Sequence, residues 1–113
     1  MAKILVVEDD RDIRDLIRMV LEMGGHELHD AATGEDGLAQ AIRLRPDAIL
    51  MDLSLAGAID GLESTRRLRA DSSFDQTPII DLDLFKEMVE RVIAGGRRAG
   101  GDAQHHAGDA AKV

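Results

Sequence analysis

The sequence predicts an α/β protein built on a doubly wound parallel sheet, and three observations carry that expectation. Two short aliphatic runs, Ile4-Leu5-Val6-Val7 and Ala48-Ile49-Leu50-Met51, have the length and composition of strands buried on both faces of a sheet. Apolar residues recur at helical spacing between and after these runs, so strand-like and helix-like segments alternate. That β-α order implies parallel pairing through right-handed crossovers. With 113 residues the chain suffices for one compact domain and not for two.

The first run stops at the acids Glu8, Asp9 and Asp10. Ile13, Leu16, Ile17, Val20 and Leu21 then trace a full amphipathic helix, with Asp9 or Asp10 as its cap and Gly24-Gly25 as its stop. His26 to Ala32 reads as a weak strand. Thr33 caps a second helix carrying Leu38, Ala41 and Ile42, which ends before Pro46. The strand Ala48 to Met51 ends at Asp52, and a loop with Gly57 leads to Asp60-Gly61-Leu62-Glu63, a capping pattern that opens a basic helix through Arg66, Arg67 and Arg69. Thr77-Pro78-Ile79-Ile80 reads as a short strand. Phe85, Met88, Val89, Val92 and Ile93 mark a last amphipathic helix whose start falls at Asp81. The predicted organisation is a domain over 1–94, incomplete after Ile80, and a disordered Gly/Ala-rich tail over 95–113.

Composition excludes several classes of function. No apolar run approaches the roughly 18 residues of a membrane span, and the start meets acid too early for a secretory signal, so a cytoplasmic protein without membrane contact is expected. The absence of cysteine excludes disulfides, zinc-thiolate sites and thiol catalysis. A net charge of −8 weighs against nucleic acid as a direct ligand and favours cations, and two Phe with no Trp or Tyr leave little to stack on bases. The Arg66, Arg67, Arg69 run reads as a solvated helix face, His26 and His29 as incidental on an edge strand, and His105-His106 as lacking the preorganisation of a metal site.

In an open parallel sheet the ligand crevice lies at the carboxyl ends of the strands, which brings Glu8 and Asp9 to the same edge as Asp52. Like charges at close range destabilise the fold unless a cation sits among them, and a hard divalent ion, Mg²⁺, resolves the repulsion. Asp9 and Asp10 also have a plain reading as helix caps, but Asp52 directly follows a buried strand, where an ionisable group is costly without a partner. No glycine-rich dinucleotide loop, nucleotide-phosphate loop or serine elbow is present. What remains is an acidic metal pocket with one carboxylate able to act as a nucleophile toward a phosphoryl group.

The strings Ile4-Leu5-Val6-Val7-Glu8-Asp9-Asp10, Pro46-Asp47-Ala48-Ile49-Leu50-Met51-Asp52-Leu53, Asp60-Gly61-Leu62-Glu63 and Thr77-Pro78-Ile79-Ile80, in that order and followed by the final helix, resemble the receiver domain of two-component response regulators over about residues 3 to 94. The resemblance implies a flavodoxin-like sheet of strand order 2-1-3-4-5, here without its fifth strand. It further implies that Asp52 is the phospho-acceptor, that Glu8 and Asp9 hold Mg²⁺ with Asp52, and that the main-chain carbonyl of Ser54 supplies another ligand. The donor would be a sensor histidine kinase or a histidine phosphotransfer protein, the output a change in binding of a downstream protein. Such a domain is no enzyme in the ordinary sense, because it catalyses only its own phosphorylation and dephosphorylation.

Two departures from the family pattern stand out. In the loop after Asp52 the usual Pro is replaced by Ala56 and one residue is inserted, which predicts a reshaped, more mobile loop. After Ile80, a Ser or Thr, a helix, a fifth strand and a Lys are missing, altogether roughly 25–30 residues on the scale of a βαβ unit. The next Lys, Lys86, falls on the last helix and takes no site role in this reading. The junction predicts a segment left out or exchanged with a neighbour, with Ile80 and Asp81 farther apart than the roughly 1.33 Å of a peptide bond. A single-domain receiver is the favoured expectation, since no effector domain follows. A degenerate receiver that binds partners without phosphorylation is the alternative, and a phosphohydrolase is disfavoured by Ser54, which stands where that class would place a second acid.

Overall fold

The structure, a computed structural model, describes residues 1–55 and 57–97. Strands β1 (Lys3–Val7), β2 (Glu27–Ala31), β3 (Ala48–Met51) and β4 (Ile79–Asp81) form one parallel sheet of order β2-β1-β3-β4. Helices α1 (Arg11–Met23), α2 (Gly34–Leu44) and α3 (Gly61–Arg69) follow the first three strands, and α4 (Leu82–Arg97) follows β4 directly. Among the described residues this is the expected doubly wound architecture, with four strands and no fifth.

The inner strands feed two cores because successive side chains point to opposite faces. Leu5, Val7, Ile49 and Met51 pack on one face with Ala41, Leu68, Phe74 and Ile79. Val6 and Leu50 face the other way, against Ile17 of α1, Leu28 of β2 and Leu82 of α4. Local chemistry sets the helix ends. Asp10 accepts hydrogen bonds from the amides of Asp12 and Ile13, Thr33 from that of Asp36, and Asp60 from that of Glu63. Arg45 closes α2 at φ 49°, with Pro46 barring continuation.

Four expectations change. The fourth strand covers Ile79–Asp81 where the sequence predicts 77–80, because Asp81 extends the ladder opposite Met51. Ile80 and Asp81 are therefore successive residues of one paired strand, and the expected separation between them does not occur. The last helix runs to Arg97, through the Gly95-Gly96 pair assigned to the tail, whose remaining residues 98–113 lie outside the described ones, as does Ala56. Finally, the apolar stripe of α1 is wider than the sheet can cover. Ile17 is buried, while Leu16 and Val20 are exposed, as is Met88 on α4. Among the described residues no helix is long and apolar enough to cross a membrane.

The crossover from β3 to α3 depends on one glycine. A Cβ on Gly61 would overlap the carbonyl oxygen of Asp52 and lie 2.6 Å from the Cα of Leu53. Both obstacles are backbone, so neither can move without shifting the end of β3. Gly61→Ala should lower the unfolding free energy by about 3 kcal/mol, the upper range for overpacking, in urea melts followed by far-ultraviolet circular dichroism. A change within about 0.5 kcal/mol, as at an ordinary surface position, would show that the loop can retreat.

Candidate functional site

The site grows from the register of β1 and β3. Val7 lies opposite Met51, so the two strands end level and the next residues, Glu8 and Asp52, stand side by side at the carboxyl edge of the sheet. The ladder continues one step further, since the Glu8 amide donates to Ala31 O (3.0 Å) and the Asp52 amide to Val7 O (3.0 Å). Backbone pairing therefore aims two acidic side chains into the sheet edge, where Glu8 is 1% and Asp52 2% exposed. Asp9 is exposed beside them, and carboxylate oxygens of Glu8, Asp9 and Asp52 all fall within 4.8 Å of one another.

Each buried carboxylate has one oxygen engaged and one left over. Asp52 Oδ1 accepts from the Ser54 amide (2.9 Å) and the Ser54 hydroxyl (2.8 Å), a tight turn that leaves Oδ2 for other chemistry. Glu8 Oε2 accepts from the Asp10 amide (3.0 Å). Glu8 Oε1 has no hydrogen-bond donor among the described residues. A cation does approach it: Lys86 Nζ, from the second turn of α4, stands 2.7 Å from Glu8 Oε1, 3.7 Å from Asp52 Oδ2 and 3.6 Å from Asp83 Oδ1. The first contact is a short ion pair between a buried carboxylate oxygen and a partly buried ammonium.

These contacts split the two acids. Burial pushes the Glu8 carboxyl up from its ordinary value, against the opposing pull of Lys86 and the Asp10 amide. Burial acts the same way on Asp52, but the hydroxyl and amide of Ser54, with Glu8 and Lys86, outweigh it and hold Asp52 below the usual range. Lys86 is partly desolvated, which favours its neutral form, yet the Glu8 and Asp52 charges prevail and raise it. Asp52 is thus the acid held as a carboxylate, with a free oxygen, and Glu8 is the one whose burial outweighs its partners.

A hard divalent cation suits this donor set of carboxylate oxygens, and the orphaned Glu8 Oε1 is the observation on which the fit rests. The structure brings together the three acids that the sequence marks, and Ser54 beside them. Sequence reasoning missed Lys86. Placing it on the last helix was correct, but it follows the fully buried Leu82 by one helical turn, and α4 starts at the same sheet edge as the acids. That spacing was the available signal. The other flagged groups are engaged elsewhere: Arg66 and Arg67 pair with Glu63, Arg69 donates to Phe74 O, His29 pairs with Glu27, and His26 accepts from the Ala2 amide. His105 and His106 lie outside the described residues.

Comparison with known proteins agrees with this geometry. The family model for the response regulator receiver domain matches residues 4–98. The transcriptional regulatory protein AfsQ1 of Streptomyces coelicolor is 40% identical over 102 residues, which are 90% of this chain and 43% of AfsQ1. Protein PilH of Pseudomonas aeruginosa is 33% identical over 100 residues, covering 88% of this chain and 80% of PilH. The chain thus spans about two-fifths of the length of curated relatives such as AfsQ1. Among solved structures, the receiver domain of the Pseudomonas aeruginosa sensor histidine kinase PA1611, which carries a magnesium ion in its active-site cleft, superposes with a TM-score of 0.67 at 36% identity, covering 71% of this chain and 65% of that one. With the parallel β2-β1-β3-β4 sheet and acids at its carboxyl edge, the chain belongs to the response regulator receiver domain family, a class of signalling domains in two-component systems.

Proposed function

We propose that this receiver accepts a phosphoryl group on Asp52 from a phosphohistidine of a sensor kinase or a phosphotransfer protein, in the cytoplasm, and signals through altered binding of a downstream protein. The observation that carries the proposal is Asp52 itself: buried, held as a carboxylate by Ser54, and left with one free oxygen at the crevice edge.

The chemistry follows from that oxygen. Asp52 Oδ2 attacks the phosphorus, the new O–P bond forms as the P–N bond to the donor histidine breaks, and the electron pair leaves with the imidazole. Ser54 fixes the carboxylate plane by holding Oδ1, so the attacking oxygen is presented in one orientation. Glu8, Asp9, Asp52 and the main-chain carbonyl of Ser54 would hold Mg²⁺. Bound there, the ion supplies positive charge that offsets the charge of the phosphoryl oxygens. A second reading, a receiver that binds partners without phosphorylation, draws support from the end of β4. Asp81 stands where the family resemblance calls for a hydroxyl, and its carboxylate accepts from the Asp83 amide.

Two outcomes test the proposal. Incubated with acetyl phosphate and Mg²⁺, the intact protein should gain about 80 Da by mass spectrometry, the mass of one phosphoryl group, while Asp52→Asn gains nothing. No gain in the wild type would leave the phosphorylation-independent module as the better account. In the second test, Mg²⁺ at tenfold excess over its Kd should stabilise the fold by roughly 1.4 kcal/mol in thermal melts, an effect mostly lost in Asp9→Asn. Equal stabilisation of both proteins would place the ion elsewhere.

A further inference from the structure

We infer that Lys86 and a divalent cation compete for the Glu8–Asp52 pocket, so that entry of the ion displaces the Lys86 ammonium and loosens the first turns of α4. The inference rests on the metal-binding reading of the site above and adds an occupant that excludes the metal.

Three features carry it. Lys86 Nζ lies against Glu8 Oε1 at 2.7 Å and 3.7 Å from Asp52 Oδ2, the two oxygens of the buried acids that no hydrogen bond engages. Both oxygens border the space an ion would occupy between the acids, and a divalent cation and an ammonium cannot share that space without strong mutual repulsion. The ammonium is also an imperfect occupant. It spreads one positive charge over Glu8, Asp52 and Asp83, whereas a divalent cation brings two charges to the same acids.

The third feature is a second resting place. Asp83 Oδ1 stands 3.6 Å from the same ammonium, one turn back along α4, and its side chain is 52% exposed. A displaced Lys86 can therefore stay paired at the rim of the crevice while its stem swings outward, and neither position leaves a buried charge alone. The move has a consequence for the helix. Leu82 and Phe85 pack into the second core, whereas Asp83, Glu87 and Met88 are exposed, so the link from Lys86 to Glu8 is the charged tether of these first turns to the sheet. Releasing it weakens the seating of α4, and a well-seated α4 in turn holds the pocket against the ion.

The test titrates metal-stripped wild type, Lys86→Gln and Asp9→Asn with MgCl₂ by isothermal calorimetry. Lys86→Gln should bind Mg²⁺ about tenfold more tightly than wild type, as for a pocket open in about a tenth of the molecules. A mutant that binds while the wild type does not would support the competition still more strongly. Equal or weaker binding by Lys86→Gln, with wild-type binding lost in Asp9→Asn, overturns the competition and leaves the metal site standing. No binding by either wild type or Lys86→Gln overturns both. A second measurement needs no folded variant: amide hydrogen exchange of the wild type with and without Mg²⁺. The amides of residues 84–88 should exchange several-fold faster with the ion present. Unchanged or slower exchange there overturns the inference.

Discussion

Two like charges buried at the ends of neighbouring strands are the constraint on which the rest of this structure depends. The register of β1 against β3 leaves Glu8 and Asp52 no choice of direction, because each amide continues the ladder and each side chain then points into the crevice. Desolvating either carboxylate is costly, and placing them together adds repulsion. The surrounding residues answer this cost locally. Ser54 folds back on Asp52, the Asp10 amide reaches Glu8, and Lys86 comes in from the far end of the chain. The cancellation is uneven, and the deficit collects on Glu8. A buried acid only partly offset in this way makes a receptive cation site, since the fold has already met the cost of assembling it.

Much of this was legible in the sequence because the physical signals were short-range. Strands buried on both faces show as unbroken aliphatic runs, and Asp10, Thr33 and Asp60 show as caps, since capping needs only a side-chain oxygen within a few residues of an orphaned amide. The acid cluster was legible for a related reason: a parallel sheet places all its strand ends on one edge. Lys86 was not read as part of the site, because its spacing from Leu82 points to the crevice only once β4 is known to pass into α4 without a loop, a tertiary consequence. The strand boundary at Asp81 failed similarly. Isolated from its partner, an Asp favours a helix start, and only pairing opposite Met51 draws it into the ladder.

The two cores are unequal in how they close. On one side α2, α3 and the buried Phe74 cover the inner strands, and Arg45 lies over the Phe74 ring at 5.0 Å from its centroid, sealing the outer end. On the other side α1 and the start of α4 share the work, and part of the apolar stripe of α1 is left in water. The site lies at the sheet edge above both. Its acids are thus anchored in the better-covered half through Val7 and Met51, and Lys86, which pairs with Glu8, comes from the less-covered half.

Among the described residues the sheet ends at β4, three residues long and paired on one side only. An uncovered strand edge is a template on which a foreign chain can add, and long flat edges of this kind nucleate aggregates. Here the edge defends itself by its chemistry. Pro78 precedes the strand with no amide hydrogen to offer, Asp81 closes it with a carboxylate, and only Ile79 and Ile80 lie between them. A sheet of four strands can therefore stop at this point without inviting another chain to continue it.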